Sequence, residues 1–243
     1  MGLVRKILRR VRYGNQTESE IYLNQLRSLG MRIGENTVVF APNSVSIDET
    51  RPWLIDIGDN VQITRGVTIL THGYDWSVIK GVYGEILGSS GAVHIGNNVF
   101  LGMNTTILKG TSIGNNVIIG ACSLVNRDIP DHCVAAGNPC RVIMSLEEYR
   151  EKRQRAQLAE ARELVTLYRQ RYGKEPDEAA LSEFFWLFTA DASNLPPSWD
   201  SQLRLVGNYE FSKEQLKNHT PQFGSLEEFL ESIPPLQGQA RST

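Results

Sequence analysis

The chain has 243 residues, 41% of them hydrophobic, with a formal net charge of -2 and a pI near 6.1. That length allows one large domain or two small ones, and the near-neutral balance excludes the basic face of a nucleic-acid binder. Three cysteines, Cys122, Cys133 and Cys140, give neither a paired framework nor a metal-ligand spacing, which suits a reducing cytosol.

The first residues, Met1 to Arg12, are basic and amphipathic. Their apolar run is too short for a signal peptide, and no later stretch is long enough to span a membrane. The expectation is a cytoplasmic protein without stable membrane insertion. Arg5, Lys6, Arg9 and Arg10 read as a solvated helix face, with attraction to an anionic membrane as the lesser alternative. Gln16 to Leu29 carries Ile21, Leu26 and Leu29 and stops at Gly30, so residues 1–30 are predicted to form a helical cap.

A six-residue period then takes over. It begins at Ile33-Gly34-Glu35-Asn36 and continues, less regularly, through Val39 and Val45. Asp48 to Leu54 interrupts it as a short loop, and it resumes at Ile55, Ile57-Gly58-Asp59-Asn60, Ile63 and Ile69. At His72 it breaks again, until about residue 92. This insertion carries several glycines and, at its start, the aromatics Tyr74 and Trp76, which argue for a functional loop over a disordered one.

From Val93 to Pro130 the period is strict. Ile95, Leu101, Ile107, Ile113, Ile119 and Val125 form one column, and Val99, Thr105, Thr111, Val117, Ser123 and Ile129 form a second, four residues later. Gly, Asn and Asp lie between them. An aliphatic residue pointing inward, a turn-forming pair and a small or β-branched residue make one flat side of a triangular prism, and three sides make a coil. The predicted fold class is therefore mainly β, a parallel β-helix over residues 31–144 with a loop at 72–92.

After Pro130 the prism ends in Ala135-Ala136-Gly137-Asn138-Pro139, small residues that let another group lie close to the backbone. Ser145-Leu146-Glu147-Glu148 is a capping box, and the Glu-, Arg- and Leu-rich stretch after it predicts one long helix to Tyr172, ending at Gly173. Further helices are predicted over Asp177–Phe188, Lys213–His219 and Ser225–Ile233. Residues 145–243 thus read as a helical extension, packed on the prism or on a neighbouring subunit.

The segments Ile95-Gly96-Asn97-Asn98-Val99-Phe100-Leu101-Gly102 and Val134-Ala135-Ala136-Gly137-Asn138-Pro139-Cys140-Arg141-Val142-Ile143 resemble the hexapeptide-repeat O-acetyltransferases, in particular the maltose and galactoside group and those that modify surface polysaccharides. The resemblance covers about residues 30–145; the tail is not shared with the short sugar acetyltransferases. It implies a left-handed winding, a homotrimer, acetyl-CoA as donor without a metal, and a histidine base on the protruding loop.

Acetyl transfer to an alcohol needs a base for the hydroxyl proton, donors for the oxyanion, and both substrates held within reach. Of the histidines at 72, 94, 132 and 219, His72 stands where a hexad meets the loop, the position at which the family keeps its base. The alternative is a corner residue satisfied by a local carbonyl. His94 reads as a strand residue, His132 as solvent-exposed, and His219 shows no partner in sequence. Asp75 is a candidate to orient the imidazole or bind an acceptor hydroxyl, and equally a turn residue. Trp76 stacks on a sugar or anchors the loop, and Asn43, one coil earlier, is a further acceptor contact. Donor contacts implied by the resemblance are Gly102, Met103, Gly120, Ala121, Asn126, Arg127 and Arg141. Met103 stands where sugar acetyltransferases have serine, and Asn126 where many have threonine.

The resulting expectation is direct attack by a sugar hydroxyl on acetyl-CoA in a ternary complex. Three rivals stay open: an N-acyltransferase on an amino sugar or drug amine, a zinc-dependent carbonic-anhydrase-like prism using His72 and His94, and a non-catalytic scaffold binding a partner through Phe184 to Phe188.

Overall fold

The structure is a computed structural model that describes residues 17–235; the basic segment Met1 to Arg12 lies outside them. Two compact units divide at residue 150.

The first unit is a left-handed parallel β-helix. One face stacks β1 (Arg32–Ile33), β4 (Ile55–Ile57), β7 (Val93–Ile95) and β10 (Thr111–Ile113). The second stacks β2 (Val38–Val39), β5 (Gln62–Ile63), β8 (Val99–Leu101), β11 (Val117–Ile119), β13 (Cys133–Ala136) and β14 (Arg141–Ser145). The third stacks β3 (Ser46–Ile47), β6 (Thr68–Ile69), β9 (Thr106–Ile107) and β12 (Leu124–Val125). Every pairing is parallel except β13 with β14, which turns the chain back and closes that end.

Both predicted columns face inward. From Ile95 to Val125 and from Val99 to Ile129 each member is buried, including Thr105, Thr111 and Ser123. The buried hydroxyls do not go unpaired: Thr105 donates to Gly120 O, Thr111 to Leu108 O and Ser123 to Gly120 O. Corners use left-handed backbone, with Asn36, Asn60, Asn98 and Asn116 at φ 53°, 54°, 54° and 58°. Coils approach so closely there that a Cβ on Gly96 would lie 2.7 Å from Gly114 O.

The open end is closed by α1 (Glu18–Leu29). Thr17 and Glu20 form a reciprocal capping box at its start, and Gly30 ends it in the left-handed region. Leu23 and Leu26 join the prism core. Arg27 donates to Ile33 O (3.0 Å) and Gly34 O (2.8 Å), which satisfies these two carbonyls of the first coil.

Helix α3 (Leu146–Tyr172) begins at the Ser145–Glu148 capping box; α2 lies in the loop described below. The second unit has its own core of Ala161, Val165, Leu181, Phe185, Leu187, Phe188, Trp199, Leu216 and Phe229. Its helices are α4 (Pro197–Leu203), α5 (Tyr209–Lys217) and α6 (Leu226–Glu231). The helix expected over Asp177–Phe188 is not there: turns lead to one 3-10 turn, Phe185–Leu187. Phe185, Leu187 and Phe188 are all buried, a burial of near-successive residues that one helical stripe cannot provide. Pro196 and Pro197 begin α4, with Pro197 in the first turn where its missing N–H costs nothing. Helix α5 starts at Tyr209, earlier than its expected beginning at Lys213.

Candidate active site

The loop that interrupts the hexads is pinned at its base. His72 and Ser90 form an antiparallel bridge, and Gly91 N donates to Thr71 O at 3.0 Å. Inside it runs a short helix, α2 (Trp76–Tyr83), ended by Gly84 in the left-handed region. His72 thus stands at the junction of a rigid coil and a protruding loop.

The structure brings to it a carboxylate that the sequence reading left in a connecting loop. Asp48 Oδ2 lies 2.7 Å from His72 Nδ1. Strand β3 pairs with β6 in register, Ile47 beside Ile69, so the residues following each strand meet one coil apart. Continued past the strands, that register sets Asp48 level with Leu70 and Thr50 level with His72, so counting hexads brings Asp48 near the break without naming His72 as its partner.

Asp48 is built to stay ionised. Its side chain is 5% exposed, and that burial alone would raise its pKa. The donors around it outweigh this. Thr50 gives its hydroxyl at 2.6 Å and its N–H at 3.0 Å to Oδ1. Thr71 gives its hydroxyl and its N–H to Oδ2, and His72 adds Nδ1. The carboxyl is held well below the usual carboxylate range. An ionised carboxylate only accepts, so Nδ1 carries the hydrogen and Nε2 presents a lone pair. His72's side chain keeps 19% of its surface, enough for a reactant to approach.

Asp75 does not orient the imidazole. It precedes α2 without a side-chain cap bond, and its Oδ1 folds over Gly73, where a Cβ would lie 2.4 Å away. Tyr74 is 71% exposed; its ring centroid is 5.6 Å from that of His72 and 5.7 Å from that of the half-buried Trp76. Asn43 is exposed on the 3-10 turn Pro42–Ser44 that leads into β3.

The other histidines lie elsewhere. His94, on the outer side of β7, pairs with Asp56 at 3.1 Å, which also holds Arg32. His132 is an exposed corner residue at φ 56°. His219, for which sequence offered no partner, meets Trp186 O through Nε2 at 2.6 Å and the Trp186 ring edge-on.

The expected donor residues fall on two edges of the prism. Gly102 and Gly120 follow Leu101 and Ile119, which are paired in register, and Met103 and Ala121 lie beside them, exposed. A Cβ on Gly102 would meet Ala121 N at 2.5 Å, so this edge is tightly stacked backbone. Arg141 opens β14 opposite Ala136, with Nη1 on Cys140 O at 2.6 Å. Asn126 and Arg127 lie on the next edge, after β12. That is the edge of His72, because Ile69, Ile107 and Val125 pair in succession. Lys109, a further cation, falls between them on the same edge. At a strand spacing of about 4.8 Å, Arg127 stands two coils, roughly 10 Å, from His72.

A protein-family model described as "Bacterial transferase hexapeptide (six repeats)" matches residues 92–127. Protein CapG of Staphylococcus aureus is 38% identical over 129 residues, 53% of this chain and 74% of CapG. Galactoside O-acetyltransferase of Escherichia coli strain K12 is 42% identical over 96 residues, 40% of this chain and 46% of its own length. The crystal structure of a maltose O-acetyltransferase from Clostridium difficile 630 is 31% identical, with 58% of this chain and 83% of that chain covered and a TM-score of 0.37.

Proposed function

The chain belongs to the hexapeptide-repeat acetyltransferase family, and from that premise we propose that it transfers an acetyl group from acetyl-CoA to a hydroxyl of a sugar or of a surface-polysaccharide precursor. The observation that carries this reading is the Asp48–His72 pair at the root of the loop, 2.7 Å between Oδ2 and Nδ1.

Acetyl-CoA supplies the thioester, an acyl group with a good leaving thiol. The rest is the work of this chain's residues. Asp48 fixes the imidazole tautomer and offsets the charge that develops on it. His72 Nε2 takes the proton from the acceptor hydroxyl as its oxygen attacks the acyl carbon. The imidazolium then returns that proton to the departing sulfur, so the dyad ends as it began. The attack is read as direct, in a ternary complex; Thr71, the hydroxyl next to His72 in the chain, is fully buried and bonded to Asp48 and so does not carry the acyl group. Arg127, on the edge of His72, and Arg141, beside the closing turn, are the cations suited to the phosphates of the donor. The edge at Gly102, Met103, Gly120 and Ala121, where Met103 and Ala121 are exposed, suits its amides.

Galactoside O-acetyltransferase, as a relative, supports a saccharide acceptor. The same reading carries a homotrimer, in which each site is shared between two copies. An alcohol acceptor is favoured over an amine because the dyad is needed for a proton that does not leave unaided. The test is CoA release from acetyl-CoA with the intact protein, across mono- and oligosaccharides and across amino sugars. Release with hydroxyl acceptors, and an O-acetyl ester by mass and by alkaline lability, is the expected result. Release with amines alone would replace this reading by N-acetylation.

A further inference from the structure

Beside His72 the loop presents a large aromatic side chain that packing does not explain. Tyr74 is 71% exposed, yet its backbone is fixed: its carbonyl accepts from Ser77 N at 3.0 Å, and Val78 N bonds to Asp75 O beside it at 3.1 Å. An aromatic that anchors a loop is buried. Tyr74 is held firmly and left open. Its ring stands 5.6 Å from the His72 imidazole, and behind it Trp76 packs at 5.7 Å with an interplanar angle of 35°. Trp76 is half-buried, so it serves as the buttress and Tyr74 as the free surface.

We propose that Tyr74 is the acceptor platform of this site and selects a pyranose ring over a linear alcohol. A pyranose has one face of C–H groups that seats on the face of an aromatic ring, while its rim of hydroxyls points outward. With the ring against Tyr74, a rim hydroxyl reaches the neighbouring imidazole. A small linear alcohol has no such face and gains nothing from the platform. Tyr74 is a substrate-binding residue in this account and Trp76 a positioning residue, acting through the tyrosine. The inference rests on the reading of His72 as the base of a hydroxyl acetylation.

The experiment compares the intact wild type with Tyr74→Ala and Tyr74→Phe. Acceptors are methyl pyranosides and glycerol, at saturating acetyl-CoA, and the oligomeric state of each variant is followed by sedimentation. In the wild type, pyranosides are the better acceptors. Tyr74→Ala raises their KM roughly tenfold, the worth of one aromatic contact, and leaves KM for glycerol and acetyl-CoA as they were. Tyr74→Phe restores the pyranoside KM, since the ring and not the hydroxyl is used. Equal losses for both acceptor classes, an unchanged pyranoside KM, or a change in oligomeric state in Tyr74→Ala would each overturn the proposal. If the wild type acetylates no hydroxyl at all, the reading of the reaction has failed. Calorimetric titration with a methyl pyranoside then decides separately: binding lost in Tyr74→Ala sustains the platform, while absent or equal binding removes it.

Discussion

An imidazole accepts a proton from a hydroxyl only through a nitrogen that carries none, so the residue that holds the opposite nitrogen matters as much as the histidine. In this chain that residue is Asp48, and Thr50 and Thr71 secure it in turn. Asp48→Asn replaces an acceptor by a group that also donates, so the favoured tautomer is no longer enforced. The plateau kcat is expected to fall roughly 100-fold or more, within the usual worth of a positioned base, with KM for acetyl-CoA little changed. A kcat that stays at the wild-type level would mean that Asp48 holds structure only. Folding holds the Asp48 pKa below its unfolded value, so its stabilising contribution is present above the ordinary carboxylate range. That contribution is lost only as pH falls below this range. His72 was legible in the sequence because it stands where the period breaks. Asp48 was not, because the partnership crosses one coil and depends on a register that the loop at residues 48–54 obscures.

At the scale of elements, strands of two to five residues cannot stand alone, and each is stable only as a rung. The inward column is therefore the sensitive one. Ile107 is fully buried in β9. Ile107→Asp puts an unpaired carboxylate there at a cost of several kcal/mol, on the order of a whole domain's stability, and is expected to abolish the thermal unfolding transition. Lys109→Ala, at the corner, should keep it. Equal melting temperatures would refute the register. The prism was readable because its period repeats the same physical demand at every coil. The helical unit was less so. The run from Phe184 to Phe188 packs by tertiary contact, and its 3-10 turn leaves no periodic trace. The α3 stripe of Ala161, Val165 and Arg169 follows helical spacing, but Arg169 is held, besides the nearby Glu175, by Leu230 O and Ile233 O, partners far along the chain.

At the scale of the molecule, each unit closes its own core, and the loop does not. Val78, Val82 and Tyr83 on α2, with Ile86 and Leu87 after it, are exposed apolar residues in one segment, the kind of surface that another chain covers. The proposed homotrimer provides that chain. Sedimentation equilibrium at micromolar protein is expected to give three times 27.2 kDa; a single-chain mass would defeat a site shared between copies. The central claim, that His72 is the base of acetyl transfer to a hydroxyl, is tested most directly by the pH dependence of kcat in wild type and His72→Ala with the same sugar acceptor. The wild type should lose activity along a one-proton limb on the acid side, since imidazolium cannot accept. His72→Ala should bind both substrates, turn over roughly 100- to 10,000-fold more slowly, and lack that limb, while His94→Ala keeps both rate and limb. Near-wild-type turnover in His72→Ala, or the same limb persisting in it, would contradict the account.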